Sequence, residues 1–205
     1  MNRLFDRLPF IGGRIPGKIT LSFLMLLLAM ILALFVPTLD RIFCIFAMFF
    51  SFLGDVTLNS SKKSSGRLLL IGGLFFIVAH LFYSLAYSNK IVEMQFAFFN
   101  LGVIYSIGVL VLSTIIVLSQ KPRLTALLIF GVIYLWLTGI DYTIICSYAY
   151  SINSIASLSA IGAIMFLASD VIIGLERFTG LESKIARKLV WWLYPIGQIL
   201  IIIFA

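Results

Sequence analysis

The sequence is poor in charge, cysteine and histidine, and each scarcity excludes a class of protein. Only 11% of the 205 residues are charged, against about 25% in soluble domains, so the chain has too few charges for the surface of a soluble protein. Two cysteines give no disulfide framework, and a single histidine without a Cys, Asp or Glu cluster gives no zinc motif. We interpret Cys44 and Cys146 as buried thiols, with a disulfide between them as the alternative.

Common catalytic and nucleotide-binding signatures are also missing. The chain has no Walker A loop, no Rossmann glycine fingerprint and no Gly-x-Ser-x-Gly nucleophile elbow. Phe52 stands where the Gly-x-Gly-Asp motif of an intramembrane aspartyl protease needs its first glycine. The net charge of +7 is scattered over short loops and forms no basic face, which argues against nucleic-acid binding.

Apolar residues make up 62% of the chain and are concentrated in seven long stretches. Each approaches the ~20 residues that a helix needs to cross a ~30 Å hydrocarbon core. Helices are expected because backbone groups in lipid must be paired within the segment. We therefore predict an all-α polytopic transmembrane bundle, a single integral membrane domain over residues 1–205, with spans near 19–36, 42–58, 67–88, 94–119, 124–145, 154–175 and 189–205. The first stretch ends without a small-residue cleavage site and is predicted to be a retained span.

The basic residues predict the orientation of these spans. Seven spans place thirteen of the 15 Lys and Arg residues on the N-terminal side, and only Arg41 and Lys90 on the other. By the positive-inside rule the N-terminus is predicted to be cytoplasmic and the C-terminus outside. The compact length and the absence of targeting or retention signals favour a bacterial cytoplasmic (inner) membrane, with membrane lipids as neighbours.

Four ionisable residues fall within the predicted spans, where they are costly and therefore functional candidates. Asp55 and Asp170 each follow a small residue and lie within about two turns of the same predicted surface, so they could serve as an acid and a base. The structural alternative is that each ties helices together through hydrogen bonds. His80 lies near the middle of the third span and could polarise a substrate oxygen or bond to another helix. Asp141 falls toward the outer end of the fifth span, and we interpret it as an interface residue.

Further polar side chains share helix faces with these residues. Tyr83 and Tyr87 follow His80 on roughly one face, and Tyr194 and Gln198 are four residues apart on the last span. Hydroxyl and amide groups placed in this way can face a substrate, or they can bond between helices.

Several of these motifs together resemble the YhhN-like lysoplasmalogenase family. The matching segments are Ser51-Phe-Leu-Gly-Asp55, His80-x-x-Tyr83, Gly162-Ala163-x-x-Phe166-x-x-Ser169-Asp170, Arg177-Phe178 and Tyr194-x-x-x-Gln198, with Lys18 and Tyr134 as additional matches. Their order and spacing on successive predicted helices extend over about residues 18 to 205.

The resemblance implies hydrolysis of the vinyl ether bond of lysoplasmalogens, which releases a fatty aldehyde and glycerophosphocholine or glycerophosphoethanolamine. The partner would be a lysophospholipid substrate, and the scheme requires no metal or cofactor. The resemblance also implies that Asp55 and Asp170 are the catalytic pair. The expected substrate-binding residues are Lys18, His80, Tyr83, Tyr134, Arg177, Tyr194 and Gln198, with Lys18 and Arg177 at the phosphate.

The main rival hypothesis is a small membrane transporter or lipid-binding protein without hydrolytic activity. Intramembrane carboxylates also form proton relays in transporters. The inverted repeats and broken helices that usually accompany such transporters are not visible in the sequence.

Overall fold

The computed structural model describes residues 17–61, 66–90, 96–119, 125–152, 155–179 and 183–205, and no strand occurs among them. Seven α-helices follow one another through these residues. Their bounds are α1 Gly17–Phe35, α2 Leu39–Ser61, α3 Gly66–Ser88, α4 Phe96–Ser119, α5 Thr125–Ile152, α6 Leu158–Thr179 and α7 Lys184–Phe204, with a short 3-10 turn, Ile155–Ser157, before α6. The predicted all-α bundle is confirmed.

The helices have the length and composition of membrane spans. They contain between 19 and 28 residues, which corresponds to about 28–42 Å at 1.5 Å per residue. Among the described residues, six of them are found long and apolar enough to cross a membrane: α1, α2, α3, α5, α6 and α7. The crossing of α4 near residues 94–119 stays a prediction.

Several helices extend beyond the apolar runs that predict them, α5 and α7 by the most at one end. α5 continues to Ile152, beyond the predicted end at 145, and the turn that follows 145 is packed inside the protein, with Ser147 and Tyr148 buried. α7 begins at Lys184, five residues before the predicted span, because the Ser183 hydroxyl accepts a hydrogen bond from the Ala186 N–H and caps the helix. Hydropathy finds the membrane-embedded part of a helix, whereas capping and packing decide where the helix ends.

Six of the helices form a ring around the polar interior. Around the ring, α1 packs against α2, α2 against α3, α3 against α5, α5 against α6, α6 against α7, and α7 against α1. In the described part of the chain α4 packs against α5, on the outside of this ring. Side chains from six helices therefore line the interior: α1, α2, α3, α5, α6 and α7.

The outer surface is apolar, unlike that of a soluble protein, and polar groups lie inside beside the apolar core. Large apolar side chains face outward, and Leu34 and Phe35 are more than 80% exposed. Serines, threonines, aspartates, His80 and Gln198 are instead buried between the helices. Lipid tails can solvate such an outer face, and polar groups inside can pair with one another. Cys44 and Cys146 are both buried free thiols, as predicted.

Polar contacts tie three helix ends together at one face of the bundle. The Arg41 guanidinium near the start of α2 donates hydrogen bonds to the Ile202 and Ile203 carbonyls at the end of α7. Lys90, just beyond α3, pairs with Asp40 at an Nζ–Oδ2 distance of 2.7 Å. The start of α2 and the ends of α3 and α7 therefore lie at one face, as expected if successive helices cross the bundle in opposite directions. Whether this face is external stays a prediction, since seven of the basic residues used for it lie outside the described residues: Arg3, Arg7, Arg14, Lys62, Lys63, Lys121 and Arg123.

Candidate active site

Polar side chains meet inside the helix ring in two groups. We call the first the Asp55 cluster; it consists of Lys18 and Ser22 from α1, Asp55 from α2 and Tyr194 from α7. We call the second the His80 cluster; it consists of His80 from α3, Tyr134 and Asp141 from α5 and Asp170 from α6. Each predicted catalytic aspartate belongs to a different cluster.

Two hydroxyl donors and one cation converge on the carboxylate of Asp55. The Tyr194 hydroxyl donates to Oδ2 at 2.6 Å, and the Ser22 hydroxyl donates to the same oxygen. The Lys18 ammonium lies 3.1 Å from Oδ1 and 4.2 Å from the centroid of the Tyr194 ring. An ionised carboxylate accepts hydrogen bonds only, so a cation and two hydroxyl donors suit the charged form of Asp55.

Helix spacing builds this cluster. Lys18 and Ser22 are four residues apart on α1 and therefore share the face that meets α2. Gly54, which precedes Asp55, leaves room for the Phe76 ring of α3, since a Cβ there would lie 2.6 Å from Phe76 Cε2. The Lys18 side chain stays 31% exposed, so the ammonium end of the cluster borders the surroundings of the bundle while Asp55 is buried.

Gln198 and Ser51 form a layer one turn beyond the Asp55 cluster. Gln198 follows Tyr194 by four residues on α7, and its Nε2 donates to the Ser51 hydroxyl of α2 at 3.2 Å. The other amide atom, Oε1, is buried and has no hydrogen-bond partner within the described residues. Because an unpaired buried acceptor costs about 1–3 kcal/mol, this oxygen suits a donor from a bound water or substrate.

The His80 cluster has an imidazole at its centre. His80 Nδ1 lies 2.8 Å from Asp141 Oδ2, and the other oxygen of Asp141 accepts a hydrogen bond from the Ser84 hydroxyl at 3.1 Å. On the opposite side of the ring, Nε2 lies 3.4 Å from the Tyr134 hydroxyl and 3.6 Å from Asp170 Oδ2. The Tyr134 hydroxyl donates to Asp170 Oδ2 at 2.6 Å. The Tyr134 hydroxyl therefore connects His80 Nε2 and Asp170 Oδ2, which are too far apart for a direct hydrogen bond.

The interpretation of Asp141 as an interface residue is wrong. Its side chain is 4% exposed and is held by His80 and Ser84 in the bundle interior. The sequence does contain a signal for this position, because Tyr134, Thr138 and Asp141 follow the spacing of one helix face. That spacing places Asp141 on the same inner face of α5 as Tyr134.

Asp170 lies deeper along its helix than the sequence predicts. The predicted sixth span ends near 175, whereas α6 continues to Thr179, so about two and a half turns follow Asp170. The turn that follows Asp170, Val171 to Gly174, is half-buried. Asp55 lies six residues before the end of α2, or about 9 Å along the axis.

Aromatic rings occupy the space between the two clusters. The Phe166 ring of α6 stacks on His80 with centroids 4.9 Å apart and meets Tyr194 edge to face at 5.5 Å. Such pairs stabilise by about 0.5–1.5 kcal/mol beyond their buried area. The sequence predicts Asp55 and Asp170 at similar depth. In the structure each aspartate has partners in its own cluster, and Phe166 contacts both His80 of one cluster and Tyr194 of the Asp55 cluster.

Two glycines allow this arrangement of α6 and α7. A Cβ on Gly162 would lie 2.7 Å from the Gly197 carbonyl oxygen, and a Cβ on Gly197 would lie 2.8 Å from the Gly162 oxygen. Both limits are set by backbone atoms, so the helices pack as closely as small residues allow. This contact positions Phe166 and Tyr194 against each other.

The remaining predicted site residues have different surroundings. Tyr83 is buried and donates to Met48 Sδ at 3.0 Å, so its hydroxyl belongs to the packing of α3 on α2. Tyr87, one turn later, donates to the Ile201 carbonyl at 2.6 Å. Arg177 belongs to the last turns of α6, and its side chain lies outside the described residues. Among the side chains that are described, no group of three or more His, Cys, Asp or Glu residues is placed to hold a metal ion.

Comparison with known proteins gives one match. The sequence model of the YhhN family matches residues 17–204, nearly the whole chain. No curated protein and no solved structure matches.

Proposed function

Because the chain belongs to the YhhN family, we propose that it is a membrane hydrolase that cleaves the vinyl ether bond of lysoplasmalogens. The products are a fatty aldehyde and glycerophosphocholine or glycerophosphoethanolamine. The observation that supports this proposal best is the pair of buried carboxyl groups, Asp55 and Asp170. Each accepts a hydrogen bond from a tyrosine hydroxyl inside the helix ring.

Vinyl ether hydrolysis requires an acid before it requires a nucleophile. A proton is added to the alkene carbon, an oxocarbenium-like cation forms, water attacks it, and the hemiacetal collapses to aldehyde and alcohol. We assign the acid to Asp170. Two buried carboxyl groups, Asp141 and Asp170, share a single imidazole. Asp141 lies 2.8 Å from Nδ1, whereas Asp170 lies 3.6 Å from Nε2, too far for a direct hydrogen bond. We therefore place the proton on Asp170, the carboxyl group that the imidazole does not bind directly.

Asp55 is the second carboxylate in this proposal. Its oxygens face the Lys18 ammonium and the hydroxyls of Ser22 and Tyr194, so a carboxylate at this position has a cation and two donors as partners. A fixed negative charge in a water-poor interior stabilises a developing cation more strongly than it would in water. The division between a protonated and an ionised carboxyl group is the one that retaining and inverting glycosidases use for oxocarbenium-like transition states.

The polar residues around the carboxyl groups would bind the head of the lipid. Lys18, with its side chain partly exposed, and Arg177 are proposed at the phosphate. His80, Tyr134, Tyr194 and Gln198 are proposed to orient the ether oxygen, the water and the glycerol hydroxyl. Tyr83 is left out of this set because its hydroxyl donates to Met48 Sδ. Gln198 Oε1 accepts hydrogen bonds only, so its partner would be the water or the hydroxyl and not the ether oxygen. The alkenyl chain would lie among the apolar side chains of the bundle.

The test is aldehyde release from a 1-alkenyl lysophospholipid by the purified protein in detergent. Wild type should release aldehyde, and Asp55→Asn and Asp170→Asn should lose it while remaining folded. Asp40→Asn is the matched control, because Asp40 is also largely buried and ion-paired but lies at the opposite end of α2. Folded wild type that releases no aldehyde would refute the hydrolase.

The transporter hypothesis predicts a different result for the same purified protein. A transporter would show pH-dependent flux of lipid or solute in proteoliposomes, whereas the hydrolase forms product without any gradient. Flux without product would establish the rival function.

A further inference from the structure

His80 and Asp141 form a buried dyad, and the reaction steps above give Asp141 no role of its own. Asp141 Oδ2 lies 2.8 Å from His80 Nδ1, and the Ser84 hydroxyl holds the other carboxylate oxygen at 3.1 Å. Both His80 and Asp141 are almost fully buried. A carboxylate that accepts a hydrogen bond from one imidazole nitrogen fixes the tautomer and the ring orientation, which directs the other nitrogen to its partner.

The other nitrogen faces the proposed acid. His80 Nε2 lies 3.4 Å from the Tyr134 hydroxyl, which is 2.6 Å from Asp170 Oδ2. A phenol hydroxyl can accept one hydrogen bond while donating another. Nε2, the Tyr134 hydroxyl and Asp170 Oδ2 therefore form a continuous path along which one proton can pass.

The ring itself is held in a fixed plane. Phe166 stacks on one face of His80 at 4.9 Å with an interplanar angle of 23°, and Tyr134 meets it at 75°. Stacking restricts rotation about the imidazole's side-chain bonds, and the Asp141 contact selects one of the two flipped orientations. The two constraints act on different degrees of freedom.

We propose that Asp141 is a positioning residue that fixes the His80 imidazole so that Nε2 returns a proton to Asp170 through the Tyr134 hydroxyl. The proposal rests on the hydrolase function and on Asp170 as its acid. Titratable groups that face His80 are Asp141 and Tyr134 from α5 and Asp170 from α6.

The proton balance of the reaction requires such a return. Asp170 gives its proton to the alkene carbon and becomes a carboxylate. Addition of water to the cation forms a new C–O bond and releases one proton, which Nε2 of His80 accepts while Asp141 stabilises the imidazolium. Nε2–H then donates to the Tyr134 oxygen as the phenol proton moves to Asp170 Oδ2. Collapse of the hemiacetal moves one proton from its hydroxyl to the leaving glycerol oxygen, so neither a net proton nor an electron is consumed.

The single histidine of the chain makes the dyad directly observable. We would label the full-length protein with 15N-histidine, place it in lipid nanodiscs without substrate, and record the imidazole resonances by NMR. Wild type should show a strongly downfield proton on Nδ1, the signature of a hydrogen bond to a carboxylate. Asp141→Asn should lose that downfield shift, and the control Asp40→Asn should keep it.

Kinetics test the consequence for catalysis. Asp141→Asn should lower kcat by on the order of 100-fold, the contribution of a positioned acid–base group, with KM within about three-fold of wild type. Asp141→Glu keeps the charge and should recover part of kcat. If Asp141→Asn does not fold, the Glu variant decides, because its displaced carboxylate must change both the Nδ1 proton and kcat.

Two results would overturn the proposal. One is an Nδ1 proton that is unaffected by substitution of Asp141, and the other is wild-type kcat in a folded Asp141→Asn variant. Wild type that forms no aldehyde would instead refute the hydrolase function, while the NMR comparison would still decide whether Asp141 orients His80.

Discussion

The contact between α6 and α7 predicts that Gly197→Ala will be damaging. A Cβ at this position would lie 2.8 Å from both the Gly162 carbonyl oxygen and the Phe166 nitrogen. Ordinary Cβ contacts begin near 3.4 Å. Because close-packed backbone atoms cannot move aside, the two helices must separate by about 0.6 Å. Overpacking of this kind typically costs about 1–3 kcal/mol. For a chain of this size that corresponds to a fall in melting midpoint of about 2–12 °C.

Catalysis should suffer as well, because Phe166 lies between His80 and Tyr194. A misplacement of ~1 Å can cost on the order of 100-fold in rate, so a smaller separation should cost on the order of ten-fold. The assay is thermal unfolding in detergent together with aldehyde release per folded molecule. Gly108→Ala is the matched control, since a Cβ at Gly108 in α4 meets nothing within 4 Å. Equal stability and activity of Gly197→Ala and wild type would refute the packing argument.

Three further predictions follow from individual contacts. Lys18→Met removes the cation 3.1 Å from Asp55, so kcat/KM should fall by on the order of ten-fold, and Lys18→Arg should restore part of it in the same assay. Tyr134→Phe removes the hydroxyl that donates to Asp170. This hydrogen bond would stabilise the carboxylate that forms as Asp170 gives up its proton, and a hydrogen bond to a charged group contributes about 1.5–3 kcal/mol, so kcat should fall by about 10–150-fold in steady-state kinetics. Arg41→Ala removes the donor to two carbonyls at the end of α7, which should lower the melting midpoint by the equivalent of about 1–3 kcal/mol and leave activity per folded molecule unchanged.

Each of these three predictions has a contradicting outcome. If Lys18→Met kept the wild-type kcat/KM, the ammonium would have no role in the site. An unchanged kcat in Tyr134→Phe would show that the hydroxyl does not serve Asp170. Loss of activity in a folded Arg41→Ala variant would mean that the end of α7 belongs to the site.

The sequence predicts the helices and most of the polar interior for simple physical reasons. Apolar runs near the length of a membrane span must be helical, and an aspartate within such a run must find polar partners. Asp55, His80 and Asp170 therefore stand out without a structure, and all three are buried and paired. Their grouping could not be predicted, because it depends on which helices are neighbours around the ring.

Asp141 shows where hydropathy alone is insufficient. Its place near the end of an apolar run suggests the membrane interface, but α5 continues for eleven residues beyond it. The rest of the protein covers the turn from Ile145 to Ala149, whose residues are buried. The ring order, with α5 between α3 and α6, then brings Asp141 to His80. Only a three-dimensional arrangement separates this carboxylate from one that faces the surface.

The most direct test of the proposed chemistry is the isotope content of the aldehyde formed in heavy water. Protonation of the alkene carbon by an enzyme acid that exchanges with solvent places one deuterium on the carbon next to the aldehyde group. Immediate reduction of the aldehyde to the alcohol would preserve that label for mass spectrometry. We predict one deuterium per product from wild type and no product from folded Asp170→Asn. Aldehyde without solvent deuterium, or undiminished product from Asp170→Asn, would contradict the assignment of Asp170 as the acid.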